Sequence, residues 1–283
     1  IGYNTDGSLD YTFGSNGIVA TDFASNSTDF AYTSLVQPDG KILVAGYSAS
    51  NAITSFAMAR YLSNGLLDNS FGTGGKVTSH INGINGGINK IALQSDGKIV
   101  AVGWHNSGNF IITRYLTNGS LDNSFGSGGI VSTDFLSGSS DGAVDVFIRS
   151  DGKILVAGNA ENASGSLFSI ARYNANGSLD TSFDGDGKFT TTVGGVYDYL
   201  TSMAVQSDNK IVLVGTANNG TNNNCGIIRI LENGGLDNTF DADGKKVIVI
   251  GGSGYDDYTN SVAVRPDGKI LIGGNITSNG NST

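Results

Sequence analysis

SLDNSFGSGG, residues 120–129, is written five times along the chain, with near-copies beginning at Ser8, Leu66, Ser178 and Gly235. The aspartate of the motif falls at Asp10, Asp68, Asp122, Asp180 and Asp237, at spacings of 58, 54, 58 and 57 residues. A second marker, PDGKILVAG at 38–46 with its variants, keeps the same period and places an aspartate at Asp39, Asp96, Asp151, Asp208 and Asp267. Two independent markers in one register mean a single structural unit used repeatedly. Without that periodicity, the 43 glycines among 283 residues, with abundant Asn and Ser, would suggest a low-complexity chain.

Each unit reads as four short strands. The first, such as SMAVQ at 202–206, alternates small or apolar with polar residues and runs into Asp-Gly or Asp-Asn, dipeptides that supply the positive φ of a hairpin turn. The second, KILVAG at 41–46 or KIVAVG at 98–103, is a nearly continuous apolar run, as expected of a strand covered on both faces. It closes on a glycine at Gly46, Gly103, Gly158, Gly215 and Gly274, which marks a bulge or a close backbone approach. The third strand is FAMARY at 56–61 and its relatives. The fourth follows the quoted motif, as in GKVTSHI at 75–81. No stretch of ten or more residues has helical spacing.

Four strands per unit and a period of 54–59 predict a five-bladed β-propeller forming one domain over residues 1–283. A solenoid is the competing architecture. The last copy ends on its second strand and the first begins at the tail of a third, so residues 260–275 and 1–23 are expected to share one blade and close the ring, hiding two sheet edges. Only IGY at 1–3 represents the third strand of that blade. It is therefore short, shared with residues 278–283, removed by trimming, or supplied by a neighbouring chain. In the quoted motif Leu and Phe are expected to plug the space between blades, while Asp and Gly shape the reversal from third strand to fourth.

The paired signatures LDNSFGTGGKV and QPDGKILVAG, with ARY between them, resemble the delta-60 repeat family of bacterial β-propeller domains, and the likeness covers essentially the whole chain. It implies a propeller from bacterial secreted or surface-attached multidomain proteins, and it brings no catalytic residues with it.

The formal charge of −9 disfavours nucleic acid and anionic membranes as partners. One cysteine, Cys225, excludes an intrachain disulfide, and no apolar run approaches the ~18 residues that span a bilayer. The chain does not begin with Met, which suggests a processed or trimmed form.

Four constellations stand out. Arg60, Arg114, Arg172 and Arg229 share one position, with Gly2 at the fifth, and each is expected to pair with the motif aspartate of its own unit, as a half-buried guanidinium requires; an anion-binding ring is the alternative. Asp29, Asp141, Asp198 and Asp257 lie ten residues before the hairpin aspartate. They either bond nearby backbone amides or crowd a channel rim that holds a cation, calcium being the ion such oxygens suit. DGDGK at 184–188 and DADGK at 241–245 read as turns, since the remaining ligands of a calcium loop are lacking. Tyr47, Trp104, Asn159, Thr216 and Asn275 follow the recurrent glycine and differ from unit to unit. Variable residues on a repeated scaffold are where recognition is placed, and Trp104 beside His105 can stack on a sugar ring.

No Ser/His/Asp grouping is assembled by the spacing, and neither glutamate, Glu161 or Glu232, has a distinctive setting. The expectations are a non-catalytic extracellular propeller at a bacterial cell surface with a protein or glycan partner and no cofactor, then a carbohydrate-binding propeller, then a glycan-cleaving enzyme.

Overall fold

The computed structural model describes residues 1–252 and 254–278. The structure is all β. It comprises β1 (Thr28–Val36), β2 (Ile42–Ser50), β3 (Ile53–Tyr61), β4 (Lys76–Ser79), β5 (Gly86–Leu93), β6 (Ile99–His105), β7 (Phe110–Tyr115), β8 (Ile130–Thr133), β9 (Ser140–Ile148), β10 (Ile154–Asn162), β11 (Gly165–Tyr173), β12 (Lys188–Thr191), β13 (Tyr197–Val205), β14 (Ile211–Asn218), β15 (Asn223–Ile230), β16 (Lys245–Ile248), β17 (Tyr255–Val264) and β18 (Ile270–Ser278). A single 3-10 turn, Ile81–Gly83, is the helical content of the described residues. The expected four strands per unit recur as β1 to β4, β5 to β8, β9 to β12 and β13 to β16, in antiparallel meanders. The second strands, and the third strands apart from β7, run longer than the apolar motifs alone suggest, and the fourth is shorter, four residues in each of the four complete repeats.

Two compact units arise from the contacts, Ile1–Ser107 with Ile112–Ile130, and Gly108–Ile111 with Val131–Thr283. In the first, β5 packs across β1, β2 and β3. In the second, Leu155, Phe168 and Ile170 pack against Leu200, Leu213 and Ile228, so the faces of two successive sheets make one core. Val212, Val214 and Ile227 are packed in turn by Val262, Ile270 and Ile272. A single parallel bridge, Ser166 to Tyr197, links β11 to β13.

The fifth repeat has two described strands, β17 paired with β18. Residues 1–23 hold two isolated bridges, Tyr3 to Leu9 and Ser15 to Ile18. The end of a repeat is nevertheless built there. Gly2 N donates to Gly17 O, and Asp10 N donates to Gly2 O. Arg60 N donates to Gly75 O and Asp68 N to Arg60 O in the same pattern. Sharing of the third strand with residues 279–283 lies outside the described residues. Beside β1 and β2, residues 1–23 leave a largely apolar cleft of about 400 Å³ that includes Phe13, Val19, Ile42 and Tyr61.

The hairpin turns follow from their sequence. Gly40 N donates to Gln37 O and Gln37 N to Lys41 O, a turn whose last residue is left-handed. Gly40 has φ 81°, and Asn209, which replaces the glycine in the fourth repeat, has φ 66°. Asn is the non-glycine residue that tolerates this region best. The glycine that ends the apolar run is needed for a different reason. The register slips opposite it in the first strand, between Ala31 and Thr33 in the first repeat and Leu200 and Ser202 in the fourth. A β-carbon on Gly46, Gly103, Gly158, Gly215 or Gly274 would sit within 2.0 Å of the carbonyl oxygen of Phe30, Gly87, Gly142, Tyr199 or Tyr258. A bulge presses the backbones together, and no side chain fits.

The repeated motif ties back to the third strand of its own repeat. Asp68, Asp122, Asp180 and Asp237 each accept a bond from the motif's own Ser or Thr hydroxyl and from the amide of that residue. The other carboxylate oxygen receives Arg60, Arg114, Arg172 or Arg229 Nε at 2.6–2.8 Å. Each guanidinium also lies over the motif phenylalanine, 4.5–4.9 Å from the ring centre of Phe71, Phe125, Phe183 or Phe240. Arg60 reaches on to Thr117 O, and Arg172 to Glu232 O, in the following repeat. The pairing expected from sequence is present in all four complete repeats, and it has a partner that sequence did not suggest. The hairpin lysine closes on the same carboxylate, with Lys153 Nζ 2.7 Å from Asp180 Oδ2. Of the two expected plugs, Phe71, Phe125 and Phe183 are fully buried. The leucines are half-buried and form a local bridge, such as Tyr61 to Leu67, and Leu236 also packs against the core shared by the third and fourth repeats.

Burial alone would raise the Asp68 and Asp122 carboxyls, but the Ser70 and Ser124 hydrogen bonds and then the arginines hold both at about 2. At Asp237 the Thr239 hydroxyl bond acts most strongly, against burial, and the result is again about 2. A carboxyl depressed on folding contributes stability that is complete above its unfolded value of about 4 and is lost as pH falls through the folded value. The urea midpoint is therefore expected to stay level down to pH about 5 and to fall steeply between about 4 and 2. A midpoint unchanged at pH 2 would contradict the assignment.

Candidate functional site

The register places each variable residue opposite a defined neighbour on the first strand. Tyr47 faces Phe30, Trp104 faces Gly87, Asn159 faces Gly142, Thr216 faces Tyr199 and Asn275 faces Tyr258. What fills the pair decides whether the position is available to a ligand.

In the first unit it is. The Phe30 and Tyr47 rings lie 5.0 Å apart, Tyr32 and Tyr47 5.8 Å, and Tyr47 meets Trp104 edge-on at 6.0 Å. Phe30 is 49% exposed and Tyr32 54%, while Tyr47 and Trp104 are half-buried. The four rings form one aromatic patch carried by two successive repeats. Tyr32 occupies the bulged position of β1, which turns it toward Tyr47. Partial burial, followed by the adjoining Tyr32 phenol, raises the Tyr47 hydroxyl above its ordinary value, so it is a neutral donor at physiological pH. Trp104 lies against Gly87. A β-carbon there would come within 2.8 Å of Nε1 and 3.1 Å of Cζ2, so a residue without a side chain is what lets the indole settle. Sequence reasoning singles out Tyr47 and Trp104 but misses Phe30, Tyr32 and Gly87, which belong to a first strand one hairpin away. The signal is the register itself, since the hairpin fixes which residues stand opposite.

The other variable positions are placed differently. His105 is buried, with Nε2 3.0 Å from Ile81 O and Nδ1 2.7 Å from Ser107 Oγ, so its ring anchors the 3-10 turn. Asn159 bonds both backbone groups of Leu200, accepting from its amide at 2.6 Å and donating to its carbonyl at 3.3 Å. Thr216 is buried. Asn275 is exposed and accepts a bond from Asn260 at 3.3 Å. Cys225 is buried opposite Thr216.

The first-strand aspartates are used by the backbone. Asp29 accepts from Phe23 N, Asp141 from Phe135 N, Asp198 from Val193 N, and Asp257 from Ile250 and Gly251 N. Each carboxylate thus caps the loop that precedes its own strand. Among the described residues no group of three or more His, Cys, Asp or Glu side chains is placed to hold a metal ion. Burial raises the Asp141 carboxyl and outweighs its bonds to Ser139 and Phe135.

No helix among the described residues is long and apolar enough to cross a membrane. The family model described as "Domain of unknown function (DUF5122) beta-propeller" matches residues 37–71, 94–125, 149–183, 206–240 and 265–283, more than half of the chain. The chain belongs to this family of β-propeller repeats. No curated protein matches it.

Several solved structures are similar in fold. A putative exo-β-1,3-galactanase from Bifidobacterium bifidum s17 is 12% identical, with 96% of this chain and 84% of that one covered and a TM-score of 0.46. A GH43_1 enzyme from Xanthomonas citri is 9% identical, with 84% and 88% covered and a TM-score of 0.37. The extracellular domains 1–2 of Drosophila Semaphorin 1b are 12% identical, with 71% of this chain covered and a TM-score of 0.42. This chain spans 40% of the length of that semaphorin chain. At such identities and TM-scores the likeness assigns no role. Glycoside hydrolases stand among these neighbours, which runs against the expectation that the chain is no enzyme, and they assign it no activity.

The Gly87 contact gives a direct check on the patch. Trp104 is the only tryptophan, so intrinsic tryptophan emission reports it alone. Gly87→Val is expected to lift the indole into solvent and shift the emission to longer wavelength, with the far-ultraviolet dichroism retained. An unshifted spectrum would contradict the packing.

Proposed function

We propose that this chain is a glycan-recognising β-propeller whose sugar platform is the aromatic patch Phe30, Tyr32, Tyr47 and Trp104. The observation that carries the reading is four rings meeting at 5.0–6.0 Å with two of them about half exposed. Soluble proteins bury aromatic rings where they can, and a contiguous exposed set marks a binding surface. A sugar presents an apolar C–H face to a ring and hydroxyls to its edge. Tyr32 and Tyr47 supply phenols beside the faces of Phe30 and Trp104, so both kinds of contact are at hand.

In this reading the five delta-60-like repeats form a closed ring, with residues 1–23 completing the sheet begun by β17 and β18. Support comes from the motif at Leu9, Asp10 and Phe13, which ends a repeat, and from a fifth repeat that has its first two strands. The setting proposed is a bacterial secreted or cell-surface protein. The acidic charge of −9 suits a glycan partner better than a nucleic acid.

A glycan array probed with the intact chain, followed by titration of tryptophan emission with the best ligand, tests the reading. Saturable binding is expected, with Trp104→Ala weakening it at least tenfold while leaving the melting temperature within about 2 °C. Binding unaffected by Trp104→Ala would overturn the platform. Release of reducing ends from a bound polysaccharide would extend the reading to cleavage.

A further inference from the structure

A second cleft, of about 440 Å³, opens at the ends of β9, β13 and β17 and is lined by Phe147, Arg149, Val205, Gln206, Val264 and Arg265 among others. The residue two places before the hairpin aspartate is Gln37, Gln94, Arg149, Gln206 or Arg265 in successive repeats, so two of five repeats place a guanidinium where the others place an amide. These arginines are distinct from the four that pair with the repeated motif.

Arg149 is 9% exposed. Its Nε shares the two oxygens of Asp151 at 3.3 Å each, and Nη2 bonds Glu232. Nη1 is shut off from solvent and has no partner among the described residues. A guanidinium N–H left without an acceptor is costly and uncommon in a folded protein. The neighbouring Gln206 carries the complementary deficiency, as do Gln37 and Gln94 at the equivalent position of their repeats. Gln206 Nε2 donates to Gly268 O at 3.0 Å, while its Oε1 is buried and accepts nothing. One cleft therefore holds an unmet pair of donors and an unmet acceptor, with Phe147, Val205 and Val264 as apolar walls. Charge does not forbid an anion. Arg149, Arg265 and Lys269 balance Asp151, Glu232 and Asp267 in their mutual pairs, and Glu232 and Asp267 are screened by solvent.

We propose that this cleft binds a hydroxyl-bearing carboxylate of sugar size, a sugar acid, with the carboxylate on Arg149 and Arg265 and a hydroxyl donating to Gln206 Oε1. A planar guanidinium fork matches a carboxylate in two-point contact, and an amide oxygen selects a hydroxyl over a second anion. This site does not rest on the aromatic platform.

The test is ligand-observed NMR titration of the intact chain with D-glucuronate, D-glucose and inorganic phosphate. D-glucuronate is expected to saturate, with D-glucose and phosphate each at least tenfold weaker. Arg265→Gln changes an exposed side chain, keeps the fold, and is expected to weaken D-glucuronate at least fivefold. Gln206→Met is expected to weaken it while sparing any phosphate binding. Trp104→Ala should leave D-glucuronate binding unchanged, which separates this site from the platform. D-glucuronate bound no better than D-glucose would overturn the proposal. So would phosphate bound as tightly as D-glucuronate, or D-glucuronate binding unaltered by Arg265→Gln.

Discussion

A charge that the fold buries must be given partners, and that constraint organises each repeat. Arg60, Arg114 and Arg172 are at most 5% exposed, and an isolated guanidinium in such a place is prohibitively costly. At Arg60 and Arg172 the motif supplies an aspartate for Nε, a hydroxyl for Nη2 and an aromatic face for the plane, and the following repeat supplies a backbone carbonyl for Nη1. The last of these matters most, because it makes one repeat incomplete without its neighbour. Such dependence between adjacent units is how repeat proteins become cooperative.

The same economy explains the glycines and the aspartates outside the motif. The bulge in each first strand forces a glycine opposite it, and the first-strand aspartate caps the amides of the loop behind. With these devices repeated, the position just after the glycine takes different residues in different repeats, buried at Thr216, bonded to the backbone at Asn159 and aromatic at Tyr47 and Trp104. Tyr47 and Trp104 occupy it in the two repeats where the facing residues, Phe30 and Gly87, permit rings to gather.

Much of this is legible in the amino-acid sequence itself. The period, the strand count, the hairpins and the Arg–Asp pairing all follow from residues that recur, since a feature copied into every unit serves the unit. What resists reading depends on register between strands rather than on spacing along one. Phe30 and Tyr32 look like ordinary strand residues until β1 is laid against β2. Thr216 and Asn159 look as available as Trp104 until burial in one case, and a pair of backbone bonds to Leu200 in the other, are seen. His105 is not a partner for Trp104 because a neighbour in sequence on a strand points to the opposite face. Arg149 is marked in the sequence only as a departure from glutamine, and the missing hydrogen bonds of Arg149 and Gln206 leave no trace there.

The dependence on the buried pair is tested most directly by a double-mutant cycle on Arg172→Met and Asp180→Asn, with stability taken from urea unfolding of the intact chain. Each single change should cost about 3–5 kcal/mol, as removal of one member of a buried ion pair does. The double variant should then lose much less than the two together, giving a coupling of at least about 1.5 kcal/mol. Effects that add to within about 0.5 kcal/mol would show that arginine and aspartate act separately, and the account of how the repeats lock together would fail.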